Sequence, residues 1–259
     1  MAESTGISRR RAVAGAAAGA GALLLGGCDK IEGSAAVKNV LARSERLTRR
    51  AQALLSPRDT LAREYSEADI SPEFRGNGTV NPDTEDYQDM AANNFADWRL
   101  EVGGLVEHPM RLSLEEVRAL PSRTQITRHD CVEGWSCIGK WKGAVLGPLL
   151  RQAGLRHEAR YIVFYCADPP EGGDPNARYY ESIDLSEAFH PQTILAYEMN
   201  NAPLTVRHGA PVRLRVERQL GYKMAKYVMR IDAVDSFAGV GGGKGGFWED
   251  QGYAWYAGI

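Results

Sequence analysis

Residues 128–143 read RHDCVEGWSCIGKWKG, and this stretch of the chain decides the fold. Cys131 follows a predicted strand, Thr124–Arg128, and two basic side chains, Arg128 and His129, precede it. Basic neighbours favour the thiolate form of a cysteine. Thiolate sulfur is a soft ligand that suits metal–sulfur centres. The segment therefore indicates either a metal-ligating Cys131 or a buried, inert thiol.

The chain has four cysteines, at positions 28, 131, 137 and 166. If Cys28 is acylated in an exported protein, three remain, and an unpaired cysteine there calls for an explanation. One of the three could bind a metal while the others are paired or free, although the count alone favours three inert thiols. The sequence has no CxxC or HExxH motif and no G-x-S-x-G elbow, which argues against a zinc site and a serine hydrolase.

Outside this segment, short strands alternate with short helices, which predicts an α+β fold with mixed β-sheets rather than a regular βαβ series. Ser113 and Glu116 form a predicted capping box for a helix that ends before Pro121. A second helix is predicted at Leu146–Ala153, and Gly239–Gly246 is predicted as a flexible loop. The remaining strands are predicted at Trp98–Val102, Tyr161–Tyr165, Thr193–Tyr197, Val212–Val216 and Tyr227–Phe237.

The N-terminal residues have the features of an export signal. Three arginines, Arg9 to Arg11, precede an uncharged run from Ala12 to Gly27 that is too short and too weakly apolar for a membrane span. The paired arginines resemble a twin-arginine signal, and Leu25–Cys28 (LGGC) resembles a bacterial lipobox. We therefore predict a signal peptide at 1–27. Cys28 would then be a lipid-bearing N-terminus, with simple cleavage beside a cysteine as the alternative.

Asp29 resembles an inner-membrane retention signal, so we predict a periplasmic protein tethered to the outer face of the inner membrane. Residues 28–92 are predicted as the tether, with a helical spacer between Ala35 and Ser56 and an irregular wrapping segment at 66–92. The compact domain is predicted at 93–259. The formal charge is −2, or −4 without the +2 of residues 1–27, so no general attraction for nucleic acid is expected.

Five motifs in order resemble those of the sulfite oxidase superfamily. They resemble most its single-domain bacterial branch, which includes the periplasmic methionine-sulfoxide reductase catalytic subunits. The likeness covers about residues 93–259. The motifs are CVEGWS with WKG (131–143), NNF (93–95), HGAPVR (208–213), GYKMAK (221–226) and GYAWY (252–256).

The resemblance implies a molybdopterin-dependent oxidoreductase in which Cys131 is the one protein ligand on molybdenum. Two further sulfurs would come from the dithiolene of a pyranopterin without a nucleotide. The implied cofactor contacts are Asn93, Ala96, Asp97, Cys166, His208, Arg213, Lys226 and the backbones of Met224 and Ala225. Cys166 stands where the reductases have Thr, and His208 where they have Asn. Arg213 and Lys226 would hold the phosphate end, consistent with the anion-binding chemistry of Arg and Lys.

Two roles stay open at the candidate site. Tyr253 would be either a proton donor near the metal or a hydrogen-bonded lid. Arg128 would either polarise the Cys131 thiolate or pair with Glu133.

The family transfers an oxygen atom and two electrons. True sulfite oxidases resemble one another in arginines beside the N-terminal contact and just after the cysteine, where this chain has Asn93-Asn94-Phe95 and Val132–Trp135 (VEGW). We therefore expect reduction of a sulfoxide or N-oxide rather than oxidation of sulfite. The alternatives are a sulfite dehydrogenase-type enzyme and a metal-free binding lipoprotein on the same fold. Because the chain has no C-x-x-C-H haem motif, electrons would be exchanged with a separate haem-containing partner, a membrane subunit or a soluble cytochrome.

Overall fold

The computed structural model describes residues 60–170, 174 and 177–259. The predicted signal peptide, Cys28 and the helical spacer lie outside the described residues. Within the described part of the chain, no helix is both long enough and apolar enough to cross a bilayer.

Two five-stranded sheets make up the fold of the described residues. The first sheet has the order β2–β1–β10–β5–β6, in which β1 and β10 run parallel and the other neighbours are antiparallel. This sheet is therefore mixed, as predicted. Its strands are β1 (Arg99–Gly104), β2 (Met110–Ser113), β5 (Tyr161–Cys166), β6 (Tyr180–Asp184) and β10 (Val228–Val234).

The second sheet is antiparallel and has the order β3–β4–β7–β8, with β9 also paired to β7. At the end of the β3–β4 hairpin Asp130 lies opposite Ser136, so residues 131–135 form the connecting turn. The register of this hairpin thus places Cys131 at one end of the sheet. The strands are β3 (Ser122–Asp130), β4 (Ser136–Val145), β7 (Ile194–Met199), β8 (Ala202–Pro203) and β9 (Arg213–Arg215).

The helices are short, and two of them match the sequence-based prediction. The Ser113 hydroxyl accepts the Glu116 N–H at 3.2 Å, and the Glu116 carboxylate accepts the Ser113 N–H at 2.7 Å, which completes the predicted capping box. The helices are α1 (Glu85–Ala92), α2 (Leu114–Ala119), α3 (Leu146–Ala153), α4 (Leu185–Ala188) and α5 (Phe247–Asp250), with 3₁₀ turns at Glu67–Asp69, Val206–His208 and Gly221–Lys223.

The main hydrophobic core lies between the two sheets and α3. Leu100 from β1 and Phe164 from β5 meet Leu195 from β7 and Leu214 from β9 in one buried cluster. Packing of helices and mixed sheets around one core is the defining feature of an α+β domain. The predicted fold class, with its mixed sheets and short helices, is therefore confirmed.

Residues 60–92 pack on this domain. Glu64 forms a β-bridge to Thr127, Phe74 is buried against Trp141, and the Tyr87 hydroxyl donates to the carbonyl of Ala210 at 2.7 Å. Residues 66–92, which were predicted as an irregular wrapping segment, thus contribute buried side chains to the domain. These side chains precede position 93, where the compact domain was predicted to begin.

Candidate functional site

A cavity of about 320 Å³ opens beside Cys131. Its wall combines the turn after β3 with the 3₁₀ turn Gly221–Lys223, residues 77–79 and the C-terminal segment. Five of the predicted site residues line it, namely Cys131, Arg213, Met224, Lys226 and Tyr253. The structure thus joins the predicted metal ligand to the two predicted phosphate-binding cations.

Cys131 is held by a tight turn. Its N–H donates to the carbonyl of Trp135 at 2.9 Å, and its carbonyl accepts the Gly134 N–H at 3.0 Å. Gly134 has a φ of +86°, a left-handed conformation that glycine adopts without strain. The Cys131 side chain is buried and contacts the amide of Asn77, whose Nδ2 lies 3.8 Å from Sγ. The local sequence CVEG therefore points the sulfur into the cavity.

Burial raises the pKa of the Cys131 thiol, and the charge of Glu133 adds to the rise. A hydrogen bond from the backbone of Glu133, the guanidinium of Arg75 and the Asn77 amide oppose this rise in the pKa. A buried thiolate requires a compensating cation, and a soft metal ion is a suitable one. Arg128, one of the basic residues before the cysteine, instead pairs with Asp130 at 2.9 Å.

The other end of the cavity is cationic. Arg213 is buried, and its Nη1 donates to the carbonyl of His208 at 3.1 Å. Its Nε is buried without a hydrogen-bond partner among the described residues. Burial and the neighbouring Arg215 lower the pKa of Arg213 to about 9. A buried guanidinium with a free N–H is a site for an anion.

Lys226 connects this end to the N-terminal segment. Its ammonium donates to the carbonyl of Asn77 at 2.7 Å and also to that of Thr79. The hydroxyl of Tyr227 donates to the same Thr79 carbonyl at 2.9 Å. These bonds fix residues 77–79 as one wall of the cavity.

Asp168 is a buried acid on the same wall. Its Oδ1 has no hydrogen-bond partner among the described residues. Burial raises the pKa of Asp168 to about 7, against the opposing charge of Lys226. A carboxyl group near neutrality can accept or donate a hydrogen bond to a polar ligand.

A buried network supports the turn that carries Cys131. The Nη1 of Arg215 lies 3.0 Å from Nδ1 of His129. The same guanidinium donates two hydrogen bonds to the Glu217 carboxylate in a bidentate ion pair. Burial and the nearby arginines hold the pKa of His129 well below its usual value, so the ring is neutral and Nδ1 accepts. A Cβ at Gly221 would come within 2.4 Å of His129 Nε2, so only glycine fits at this position.

Aromatic rings form the outer wall, at the mouth of the cavity. Trp248 and Tyr253 stack with centroids 5.2 Å apart, and Tyr222 meets Tyr253 edge-on at 5.3 Å. The hydroxyl of Tyr222 donates to the carbonyl of Ala254 at 2.7 Å. The predicted C-terminal aromatic segment thus reaches the cavity through Tyr253.

Three predicted early contacts do not line the cavity. Asn93, Ala96 and Asp97 are exposed where α1 ends. The Asn93 amide donates to Asp97 at 2.6 Å and accepts the Ala96 N–H at 3.1 Å. Their polar groups serve the turn that follows the helix, and their role in cofactor binding stays a prediction.

Cys166, His208 and Ala225 are not among the residues that line the cavity. Cys166 is buried at the end of β5, and burial raises the pKa of its thiol well above the usual value. The ring of His208 contacts the carbonyl of Phe74 at 3.1 Å and the Thr205 hydroxyl at 2.9 Å. The Ala225 carbonyl accepts the Leu214 N–H at 2.8 Å. The direct contacts of these three residues with the cofactor stay a prediction. Cys131, Cys137 and Cys166 form no disulfide.

Sequence reasoning missed Asn77, Thr79 and Asp168. The first two lie in the stretch predicted only as an irregular wrapping segment. Its sequence Gly76-Asn77-Gly78-Thr79 places two small residues around an amide, a pattern typical of backbone that approaches a ligand closely. Asp168 follows the YIVFY strand by three residues, and an acid just after a buried strand was the sequence feature that could have indicated a site residue.

The residues of the cavity fit a molybdopterin. The buried thiol can supply a soft ligand, the unpartnered Arg213 Nε and the Lys226 ammonium can bind a phosphate, and Asp168 can meet the polar edge of a pterin. The volume falls within the range of small-molecule sites.

Comparisons with known proteins identify the family of the chain. Residues 87–238 match the family described as oxidoreductase molybdopterin binding domain. The chain is 38% identical over 238 residues to a putative protein-methionine-sulfoxide reductase subunit, YedZ1, of Azospira oryzae, covering 92% of this chain and 83% of that protein.

Two protein-methionine-sulfoxide reductase catalytic subunits named MsrP are also similar. The one from Xanthomonas axonopodis is 37% identical over 53% of this chain and 45% of its own length. The one from Campylobacter jejuni is 30% identical over 65% of this chain and 60% of its own length. The chain thus spans about half the length of these two relatives. The sulfane dehydrogenase SoxCD of Paracoccus pantotrophus has a TM-score of 0.49 at 24% identity, covering 54% of this chain and 39% of that one.

The fold and the cavity together define a molybdenum-dependent oxidoreductase. The chain belongs to the oxidoreductase molybdopterin-binding family. The predicted membership of the sulfite oxidase superfamily, near the methionine-sulfoxide reductase branch, is confirmed.

Proposed function

We propose that this enzyme reduces a sulfoxide, or an N-oxide, rather than oxidising sulfite. One observation carries the proposal: an acidic residue, Glu133, follows Cys131 by two positions and lines the cavity. A carboxylate beside the reacting centre repels a small dianion such as sulfite and tolerates a neutral sulfoxide. The names of the relatives support the same substrate class.

The proposed reaction consumes two electrons and two protons, and it converts a sulfoxide to a sulfide and water. The cofactor, when bound, supplies oxygen-atom transfer and two-electron redox chemistry. Arg213 and Lys226 would hold its phosphate, and the Cys131 sulfur would bind its metal. The rings of Tyr222, Trp248 and Tyr253 restrict water at the mouth, and the Tyr253 hydroxyl is the proposed proton donor.

A sulfite dehydrogenase-type activity is the second candidate, and one contact favours it. The guanidinium of Arg75 lies 5.2 Å from the Trp135 ring centroid, and its charge lowers the pKa of Cys131. The N-terminal segment therefore supplies one cation that the residues after Cys131 lack. A single exposed arginine is weaker attraction for a dianion than a cluster.

We also propose that the enzyme is exported, lipid-tethered at Cys28 and served by a separate haem protein. The twin-arginine and lipobox resemblances support export, and the missing C-x-x-C-H motif supports an external electron source. A nucleotide-free form of the cofactor is part of the same proposal.

The test uses purified enzyme with its molybdenum content measured per chain. We expect turnover of methionine sulfoxide and dimethyl sulfoxide with a reduced viologen dye, and little turnover of sulfite with an electron acceptor. Cys131→Ser should abolish this activity while the protein stays folded, because the metal would lose its predicted protein thiolate ligand. Cys137→Ser, a change of a half-buried thiol outside the cavity lining, is the matched control.

Efficient oxidation of sulfite by the loaded enzyme, with no reduction of any sulfoxide, would establish the second candidate instead.

A further inference from the structure

Glu133 is held in place at the mouth of the cavity. Its Oε2 accepts the indole N–H of Trp135 at 2.8 Å, which fixes an otherwise exposed carboxylate. The side chain lines the cavity together with Cys131 and Val132. Any molecule that approaches the sulfur through this opening therefore passes a fixed negative charge.

The aromatic wall formed by Tyr222, Trp248 and Tyr253 lines the same cavity. Aromatic faces attract cations through the ring quadrupole. The Glu133 carboxylate at the same opening adds a Coulombic attraction for a cation. Tyr253 is 40% exposed, so its ring remains accessible from solvent. The mouth thus combines two features that both favour positive charge.

The cations of the site are placed elsewhere. Arg213 and Lys226 lie at the inner end, where a cofactor phosphate would neutralise them. The Arg75 guanidinium packs on the Trp135 ring, and Arg75 does not belong to the cavity lining. The substrate therefore meets Glu133 more directly than it meets any arginine.

We infer that Glu133 and the aromatic wall make the mouth charge-selective, so that ammonium-bearing sulfoxides bind better than neutral ones and carboxylate-bearing ones are rejected. The inference rests on the proposed sulfoxide reduction and names the substrate class of that site. Arg75 acts as a counter-charge that limits the selectivity. Glu133 sets specificity and takes no part in bond breaking.

The experiment compares three methyl sulfoxides of similar size. They are 2-aminoethyl methyl sulfoxide, 2-hydroxyethyl methyl sulfoxide and methylsulfinylacetate. The measured quantity is the ratio of kcat/KM between the ammonium and the carboxylate compound, on enzyme normalised to its molybdenum content. In the wild type we expect the ammonium compound to be preferred over the neutral one, and the neutral one over the carboxylate.

Glu133→Gln should lower this ratio about tenfold, mostly through KM, because a unit charge a few ångströms away is removed. Arg75→Gln should raise the ratio about threefold, since it removes the counter-charge. Glu115→Gln on α2, an exposed position outside the cavity, makes the same change in net charge and should leave the ratio unaltered. Raising the salt to about 0.5 M should shrink the wild-type ratio by screening.

A Glu133→Gln ratio within about twofold of the wild type would overturn the inference, as would equal effects of Glu133→Gln and Glu115→Gln. If Glu133→Gln fails to fold or to load metal, the opposite shift expected of Arg75→Gln decides the matter alone. Loaded wild-type enzyme that reduces none of the three sulfoxides would overturn the proposed function and this inference with it. A flat ratio on an active enzyme would overturn the inference only.

Discussion

Asp168 links the stability of the protein to pH. Burial raises its pKa to about 7, whereas an unfolded chain has the ordinary value of 3.8. Between these two values the folded protein keeps a proton that the unfolded chain has lost. The stabilising contribution is therefore complete below about pH 4 and is lost as the pH rises through 7.

Replacement of Asp168 by Asn removes this titration and keeps the shape of the neutral acid. Between about pH 5 and pH 8 the free energy of unfolding of the wild type should fall relative to Asp168→Asn by roughly 3 kcal/mol. Urea unfolding of both cofactor-free proteins at each pH measures the difference. Parallel pH profiles for the two proteins would show that the carboxyl titrates normally in the fold.

Two neighbouring tyrosines allow a catalytic role of a hydroxyl to be distinguished from a structural one. Tyr222 donates its hydroxyl to the backbone of Ala254, whereas Tyr253 stacks on Trp248 with its ring. If Tyr253 is the proton donor, Tyr253→Phe should lower kcat at least about a hundredfold with KM little changed. Tyr222→Phe should leave kcat within a few-fold, and its cost should appear in the melting temperature.

Steady-state kinetics of the two variants, on equal molybdenum content, provide the comparison. Near wild-type kcat for Tyr253→Phe would assign Tyr253 to the lid.

At the scale of elements, a buried ion cluster connects the cavity wall to the C-terminal segment. Lys223, in the 3₁₀ turn of the wall, contacts Glu181 of β6 and Glu249 of α5, and all three side chains are buried. Burial and the charge of Glu249 raise the pKa of Glu181 well above its usual value. The raised pKa favours a protonated Glu181 beside the lysine.

Lys223→Met should therefore destabilise the protein by about 3–5 kcal/mol, because it leaves buried acids without their cation. Glu181→Gln imitates the protonated acid and should cost about 1 kcal/mol or less. Chemical denaturation of the two variants near neutral pH tests this contrast. Equal losses for both would mean that Glu181 is ionised in the fold.

Predictions at the level of elements depended on the strength of local patterns. The YIVFY strand and the capping box at Ser113 were predicted correctly, because a buried apolar run and a cap are properties of neighbouring residues. Strand β4 was not predicted, since Lys140 and Lys142 make its sequence look polar. Pairing with β3 and β7 determines this strand, and that pairing is a long-range property.

At the scale of the whole molecule, the cavity is assembled from five distant parts of the chain, near positions 77, 131, 168, 213–226 and 248–253. The motifs around Cys131, Arg213 and Lys226 were found in the sequence because their residue types carry chemistry. The sequence predicted the N-terminal cofactor contact at Asn93, whereas the structure places the amide of Asn77 beside the Cys131 thiol. Both asparagines stand in polar surroundings, and only the fold shows which one reaches the cavity.

The proposed tether makes a prediction about the intact cell. Cys28→Ser should prevent acylation, so the enzyme should move from the membrane fraction to the soluble periplasmic fraction. Its kcat with a soluble viologen dye should not change, because position 28 lies far along the chain from the cavity residues.

Turnover supported by the native electron donor should fall at least about tenfold if that donor is a membrane protein, since a tether raises the local concentration towards the millimolar range. Fractionation, mass spectrometry of the mature N-terminus and sulfoxide reduction by whole cells measure the three effects. Ala35→Ser, a change of similar size within the same predicted tether, should alter none of them. A Cys28→Ser protein that stays in the membrane fraction and retains full cellular activity would contradict this prediction. It would show that the acyl chain is not what keeps the enzyme near its electron donor.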